Sequence, residues 1–324
     1  MSVFKNVAVA LSLLGLFACG NANNGASSAS AKKDASASST TKASAPAPAA
    51  SSPAAVKPTA SAPPVEAPKD EGVALTKHFA AVGDKETRTN EKMNNMTILE
   101  KKDGKDVEHK VAETKTLKVV EECVGVDDNA CTKFKVTVEQ HEQRLVQDGK
   151  EETKTLPTQG KTFMIVPKDG TPDITLEDGS PASKDEIELL KNDYDVAGKD
   201  KKVISSLPDK VKVGDSLDDL GKVLAETNVK EDEKNVKQTV TIKVKSIGEV
   251  DGKKVATLEV HISKEGDAPM GHAKGEVTGT IDLRLDGGVP VKMDMQGTVD
   301  LAFEGDKGSV AGIFTEKASS TFSW

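Results

Sequence analysis

Aromatic residues are scarce in this chain, 3% of the total with one Trp and one Tyr. Stacking platforms for bases and aromatic cages for cations therefore have almost nothing to be built from. Cysteine is rarer still, with three in 324 residues. There is no Cys-x-x-Cys pair and no His at zinc spacing, so a structural zinc site has too few ligands. The five histidines, His78, His109, His141, His261 and His272, are scattered, and no two stand four apart as on a metal-binding helix. Each reads as a solvated side chain. The sequence has no Gly-x-Ser-x-Gly elbow and no phosphate-cradling glycine loop. Positive charge is also short: the net charge of −8 argues against nucleic acid as a partner and against adhesion to anionic lipid by charge. No cofactor is implied.

The first residues have the three zones of an export signal. Lys5 supplies the charge, Val7 to Phe17 form an apolar run, and Ala18 is the small residue before Cys19. The run is shorter than the roughly 20 apolar residues that span a bilayer. Leu16-Phe17-Ala18-Cys19 resembles the lipobox of bacterial lipoproteins, with Phe17 bulkier than the usual second residue. The resemblance implies removal of residues 1–18, a diacylglycerol on the Cys19 thiol and acylation of the new amino terminus. Several acyl chains at about 0.8 kcal/mol per buried methylene would hold the protein to a membrane without a helix. Gly20 follows, where an Asp would imply inner-membrane retention, so the resemblance favours the outer membrane. The expected location is lipid-anchored at that membrane, facing the periplasm or the cell surface.

Residues 19–72 are the lipidated cysteine and a tract of Ala, Ser, Pro, Thr and Lys that holds half of the 14 prolines and no aromatic residue. Such a tract buries too little apolar surface to offset ordering entropy and reads as a disordered tether, about 40 Å in reach. With Cys19 modified, Cys123 and Cys131 remain. In an oxidising compartment they read as a disulfide closing a hairpin end, and loop closure gives it about 2.5 kcal/mol. From Val73 onward the pattern changes to period two. Examples are Phe134-Val136-Val138, Val240-Ile242-Val244, Leu258-Val260-Ile262 and Val291-Met293-Met295, with Lys, Thr, Asp and Glu between them. This is the mark of antiparallel strands with one wet face. Asp-Gly at 103, 148, 169, 178, 251 and 286 suits tight hairpin turns.

Ser183 with Glu186 reads as a capping box opening a helix over 183–195, and Ser216 caps a weaker one from Leu217 to Ala225. Val82-Gly83-Asp84 recurs as Val213-Gly214-Asp215, which suggests duplicated lobes. The expected fold is mainly β: antiparallel, hairpin-rich sheets in two similar lobes, half-barrel or sandwich-like, with one or two short connecting helices. The first lobe covers 73–206 and the second 207–324. Leu207-Pro208 through Val213-Gly214-Asp215-Ser216, and then Gly287-Gly288-Val289-Pro290, resemble a group of uncharacterised bacterial exported β proteins. The resemblance implies a strand-rich envelope domain and carries no activity with it.

Acidic clusters at Asp127-Asp128-Asn129 and Asp218-Asp219 lack the spacing of an EF-hand loop. The aromatic ending Phe322-Ser323-Trp324 has no aromatic girdles to go with it, so a membrane barrel is not expected. No catalytic residue stands out. The expected function is a non-catalytic binding or structural module of the cell envelope, its partners the membrane, through the anchor, and a hydrophobic ligand or envelope protein. Half-barrels that hold an acyl chain, as in periplasmic lipoprotein carriers, are similar at the level of fold type. The alternative is an envelope hydrolase whose site forms only in three dimensions.

Overall fold

The computed structural model describes residues 72–102, 105–169, 171–194, 198–226, 234–268, 271–303 and 308–323. Cys19, the signal and most of the tether lie outside them, as do Trp324 and the Asp-Gly at 103. The mainly β, antiparallel expectation holds: 68% is strand and 11% helix, and the sheet is not closed into a barrel. Among the described residues no helix is long and apolar enough to cross a membrane.

The first half supplies β1 (Val73–Ala74), β2 (Thr76–Lys77), β3 (Lys85–Lys102), β4 (Lys105–Asp127), β5 (Ala130–Gln147), β6 (Lys150–Thr155), β7 (Thr162–Val166) and β8 (Asp173–Leu176). A helical connector follows, with α1 (Lys184–Leu190), a short 3-10 turn (Lys191–Asp193), α2 (Lys199–Ser206), β9 (Lys210–Val211) and α3 (Asp218–Glu226). The second half supplies β10 (Lys234–Val250), β11 (Lys253–Ala268), β12 (Gly271–Arg284), β13 (Asp286–Gly287), β14 (Val289–Phe303) and β15 (Gly308–Ser323).

The long strands of both halves run into one 11-stranded sheet, ordered β10-β11-β12-β14-β15-β3-β4-β5-β7-β8, with β6 also on β5. The seam between the halves is β3 against β15, unbroken from Glu100 opposite Gly308 to Lys85 opposite Ser323. Each half keeps its own apolar cluster. One joins Val136, Val138, Phe163 and Ile165 to Leu190 and Tyr194. The other joins Val260, Ile262, Val277 and Met295 to Val203, Ile204, Leu220 and Leu224. Burying each such side chain stabilises by about 1.5–3 kcal/mol. Directly opposed residues of an antiparallel ladder share a face, and both clusters fall on the same face of the sheet, the one the helices cover. We call it the inner face.

The turns follow the local chemistry. Asp148-Gly149 and Asp251-Gly252 have positive φ at both residues, as does Asp128-Asn129, which matches the twist of hairpin strands. Asp286-Gly287 departs from expectation: it forms β13, parallel to β2, and the turn there uses Gly288. The capping box at Ser183 is present in full. The Val-Gly-Asp repeat is a repeated device. Gly83 N–H donates to Cys123 O and Cys123 N–H to Asp84 O, while Gly214 donates to Val244 O and Val244 to Asp215 O, all at 2.8–2.9 Å.

Candidate functional site

The inner face of β3 carries Glu86, Arg88, Asn90, Lys92 and Asn94, opposite Glu121, Val119, Leu117, Lys115 and Glu113 of β4, where the strands of the two apolar clusters carry Val, Ile and Met. Arg88 is almost fully buried. Its guanidinium donates to Glu121 Oε1 at 3.0 Å and to Asp193 Oδ2 at 3.2 Å, and Tyr194 OH donates to the same Glu121 oxygen at 2.8 Å. Tyr194 also packs on Phe134, with ring centroids 5.5 Å apart. Burial works against the Arg88 charge, but Glu121 and Asp193 outweigh it and raise its pKa, while burial and then Glu121 push the Tyr194 phenol well up. The cluster pins the turn after α1 onto the sheet. Arg88, Glu121 and Tyr194 are buried and only Asp193 is partly exposed, so the cluster acts as a clasp between the turn and the sheet.

Further along the same face Glu113 accepts from Lys115 Nζ at 3.0 Å, Asn94 Nδ2 at 3.0 Å and Gln143 Nε2. Burial raises its pKa, and these partners more than reverse that. His141 corrects the expectation that every histidine is solvated. It lies on the inner face opposite Leu117 and is 6% exposed. Its Nδ1 is 2.7 Å from Thr158 Oγ1, and its N–H donates to Gln159 Oε1 at 2.9 Å. Burial first, and Lys115 after it, pull its pKa down to about 4 against the pull of Asp193. His272, in contrast, is exposed between Asp267 and Glu265, and bonding to Asp267 and then Glu265 raises its pKa.

The outer face is rich in threonine and charge, with one apolar exception. Met93, Leu99 and Ile313 are large hydrophobics exposed by 38%, 39% and 60%. All three share the outer face along the β3–β15 seam; Met93 is in the row next to that of Ile313, and Leu99 lies two rows beyond it on the other side. Beside them is a hollow of about 630 Å³ that crosses β14, β15, β3, β4 and β5. Its floor row runs Thr298, Ile313, Asn95, Ala112, Val146, and the next row carries Asp300 at β14, Thr97 at β3 and Lys110 at β4. The volume is in the range of ligand pockets, about 300–1,000 Å³. An open, largely apolar trough with a carboxylate on one wall and an ammonium on the other can seat an apolar group and orient it by charge.

Cys123 and Cys131 are bridged across the β4–β5 hairpin, with Cα atoms 5.9 Å apart. They lie in the first core and far along β4 from the trough. Of the acidic clusters, Asp128 pairs with Lys201, Asp218 accepts from Ser216 and Asp219 lies 3.6 Å from Lys222. Among the described residues no three His, Cys, Asp or Glu side chains converge as a metal site. The trough could not be read from the sequence, because nothing local says that β15 will lie against β3.

No protein-family model matches the chain, and no curated protein matches it. A solved structure titled for lipid–protein interactions in lipovitellin is 10% identical with a TM-score of 0.35, covering 74% of this chain and 25% of that one. The chain thus spans about a quarter of the lipovitellin chain. A DUF1329 family protein from Desulfovibrio piger is also 10% identical, with a TM-score of 0.19 and coverage of 74% and 85%. Neither likeness bears on function.

Proposed function

We propose that this chain is a non-catalytic binding module of the bacterial cell envelope, held to the outer membrane by lipid on Cys19, and that its outer-face trough captures an apolar group of a hydrophobic ligand. The observation that carries the binding reading is the exposed Ile313 lining a hollow with Ala112 and Val146, with Met93 exposed in the row beside it. Contiguous exposed apolar surface on a soluble domain marks interaction sites. The lipobox-like Leu16-Phe17-Ala18-Cys19 supports the anchor, and the Cys123–Cys131 bridge suits an oxidising compartment. The Arg88 cluster weighs against a hydrolase, since Arg88, Glu121 and Tyr194 are buried and paired with one another.

Mass spectrometry of the protein gently extracted from its native membrane tests both parts, reporting acylation at Cys19 and any retained ligand. A Cys19→Ser chain that is processed normally and stays as firmly membrane-bound would sink the anchor. The trough is tested with an uncharged naphthylamine dye, whose fluorescence rises on entering apolar surroundings. Ile313→Lys should abolish the uptake, and equal uptake by that variant would sink the binding site.

A further inference from the structure

We propose that the outer-face trough is filled by Ile313 of a second copy of this chain, in a two-fold dimer whose axis runs along the β3–β15 seam. This rests on the trough being an apolar binding site; a second copy's Ile313 competes with the ligand there, so dye uptake is read at dilutions where the chain is monomeric. A two-fold axis parallel to the strands, lying between two sheets packed face to face, places β14 of one copy over β4 of the other, and β15 over β3. Such an interface must be self-complementary, so that each feature on one side of the seam meets its match from the other.

The two rows at the trough meet that condition in shape and in charge. In the floor row the protruding side chain, Ile313, stands on the β15 side, and the small one, Ala112, stands on the β4 side beyond Asn95. Under the two-fold, Ile313 of each copy comes over Asn95 beside Ala112 of its partner, where the hollow is. The next row is antisymmetric in charge. Lys274 lies opposite Asp300 on the β12–β14 side, and Lys110 lies beside Asp148 on the β4–β5 side. The same operation sets Asp300 over the partner's Lys110, and Lys274 over the partner's Asp148. Asp300 has no ion pair among the described residues. Lys110 reaches Glu108 at 3.2 Å and Asp148 reaches His109 at 3.4 Å, both exposed pairs that are weak in isolation. Sheets stacked about 10 Å apart cross at about −30°, so contacts nearest the axis keep register best. Ile313 and Asn95 flank the axis, and Ala112, Asp300 and Lys110 lie one strand further out.

A lipid or another protein could also offer an apolar group, but only a second copy has to reproduce the alternation of charge on both sides of the seam. The test uses the full chain with Cys19→Ser, so that no acyl group contributes, followed by sedimentation across a dilution series. The chain should sediment as a dimer. Lys110→Asp alone and Asp300→Lys alone should each weaken association by about tenfold or more, and the two together should restore it to within about threefold. Ile313→Asp should give a folded monomer, checked by circular dichroism. A monomer at every concentration, or a dimer indifferent to the single reversals, or a double reversal that does not recover, overturns the proposal. If the monomer still takes up the naphthylamine dye at Ile313, the binding site survives and only its occupant is wrong. If there is neither dimer nor uptake, both readings fall.

Discussion

His141 should make the protein acid-labile in a window where its carboxylates are silent. Its ordinary pKa of 6.5 falls to about 4 in the fold, chiefly through burial. In the unfolded chain the ring takes a proton near its ordinary value, whereas in the folded chain it stays neutral until about 4. Unfolding therefore takes up a proton between those limits. Stability from this residue is complete above about 6.5 and is lost as pH falls toward 4. The ceiling is about 3 kcal/mol, and at pH 5 the loss is about 2 kcal/mol. Glu113 and Glu186, whose pKa values are lowered from 4.5, add losses of the same sign only at lower pH. His272 has the opposite sign: its raised pKa gives a contribution present below 6.5 and lost as pH rises through the folded value. It is exposed, so no energy is assigned to it. Urea unfolding at about pH 7.5 and about pH 5 measures the difference. The wild-type chain should lose about 2 kcal/mol between them. His141→Gln keeps a hydrogen-bonding partner for Thr158 and removes the titration, so it should lose far less. An equal loss in that variant would refute the linkage.

Arg88→Met should destabilise by about 3–5 kcal/mol in the same assay, because Glu121 and Asp193 are left buried without their cation; a change under about 1 kcal/mol would mean the clasp is dispensable. Gly279→Ala should cost about 1–3 kcal/mol or prevent folding, since the new Cβ would fall 2.2 Å from Asp294 O and 2.6 Å from Met295 Sδ. Replacing Cys123 and Cys131 together by Ser should lower stability by about 2.5 kcal/mol with the outer-face trough unchanged in dye uptake. A loss of uptake in that variant would show that the hairpin end and the trough are coupled.

Much of the architecture was legible where the physics is local. Alternation of Val, Ile and Leu with charge marked the strands of the second half; Asp251-Gly252 marked a turn there and Asp148-Gly149 one in the first half. The two Val-Gly-Asp segments were legible as a repeat, but not the backbone hydrogen bonds they share. β3 was not legible, because its inner face is polar: Arg88 and Asn94 are held there by partners from β4 and the connector, which alternation in hydrophobicity cannot reveal. The helix α2 escaped because Lys199, Lys201 and Lys202 mask the short apolar face of Val203 and Ile204. The trough was hidden for a different reason. Ile313 reads as one more strand hydrophobe until its partner across the seam is known, and only then does its side fall outside.

The seam also sets an order on assembly. β3 is among the first long strands to be made, yet the edge it presents is completed by β15, from the other end of the described chain. Until that late strand arrives, the first half must wait with a raw backbone edge, open to strangers. The charged inner row of Glu86, Arg88 and Lys92 makes that waiting edge a poor template for sticking, so the residues that obscured β3 in the sequence also protect the half-made protein.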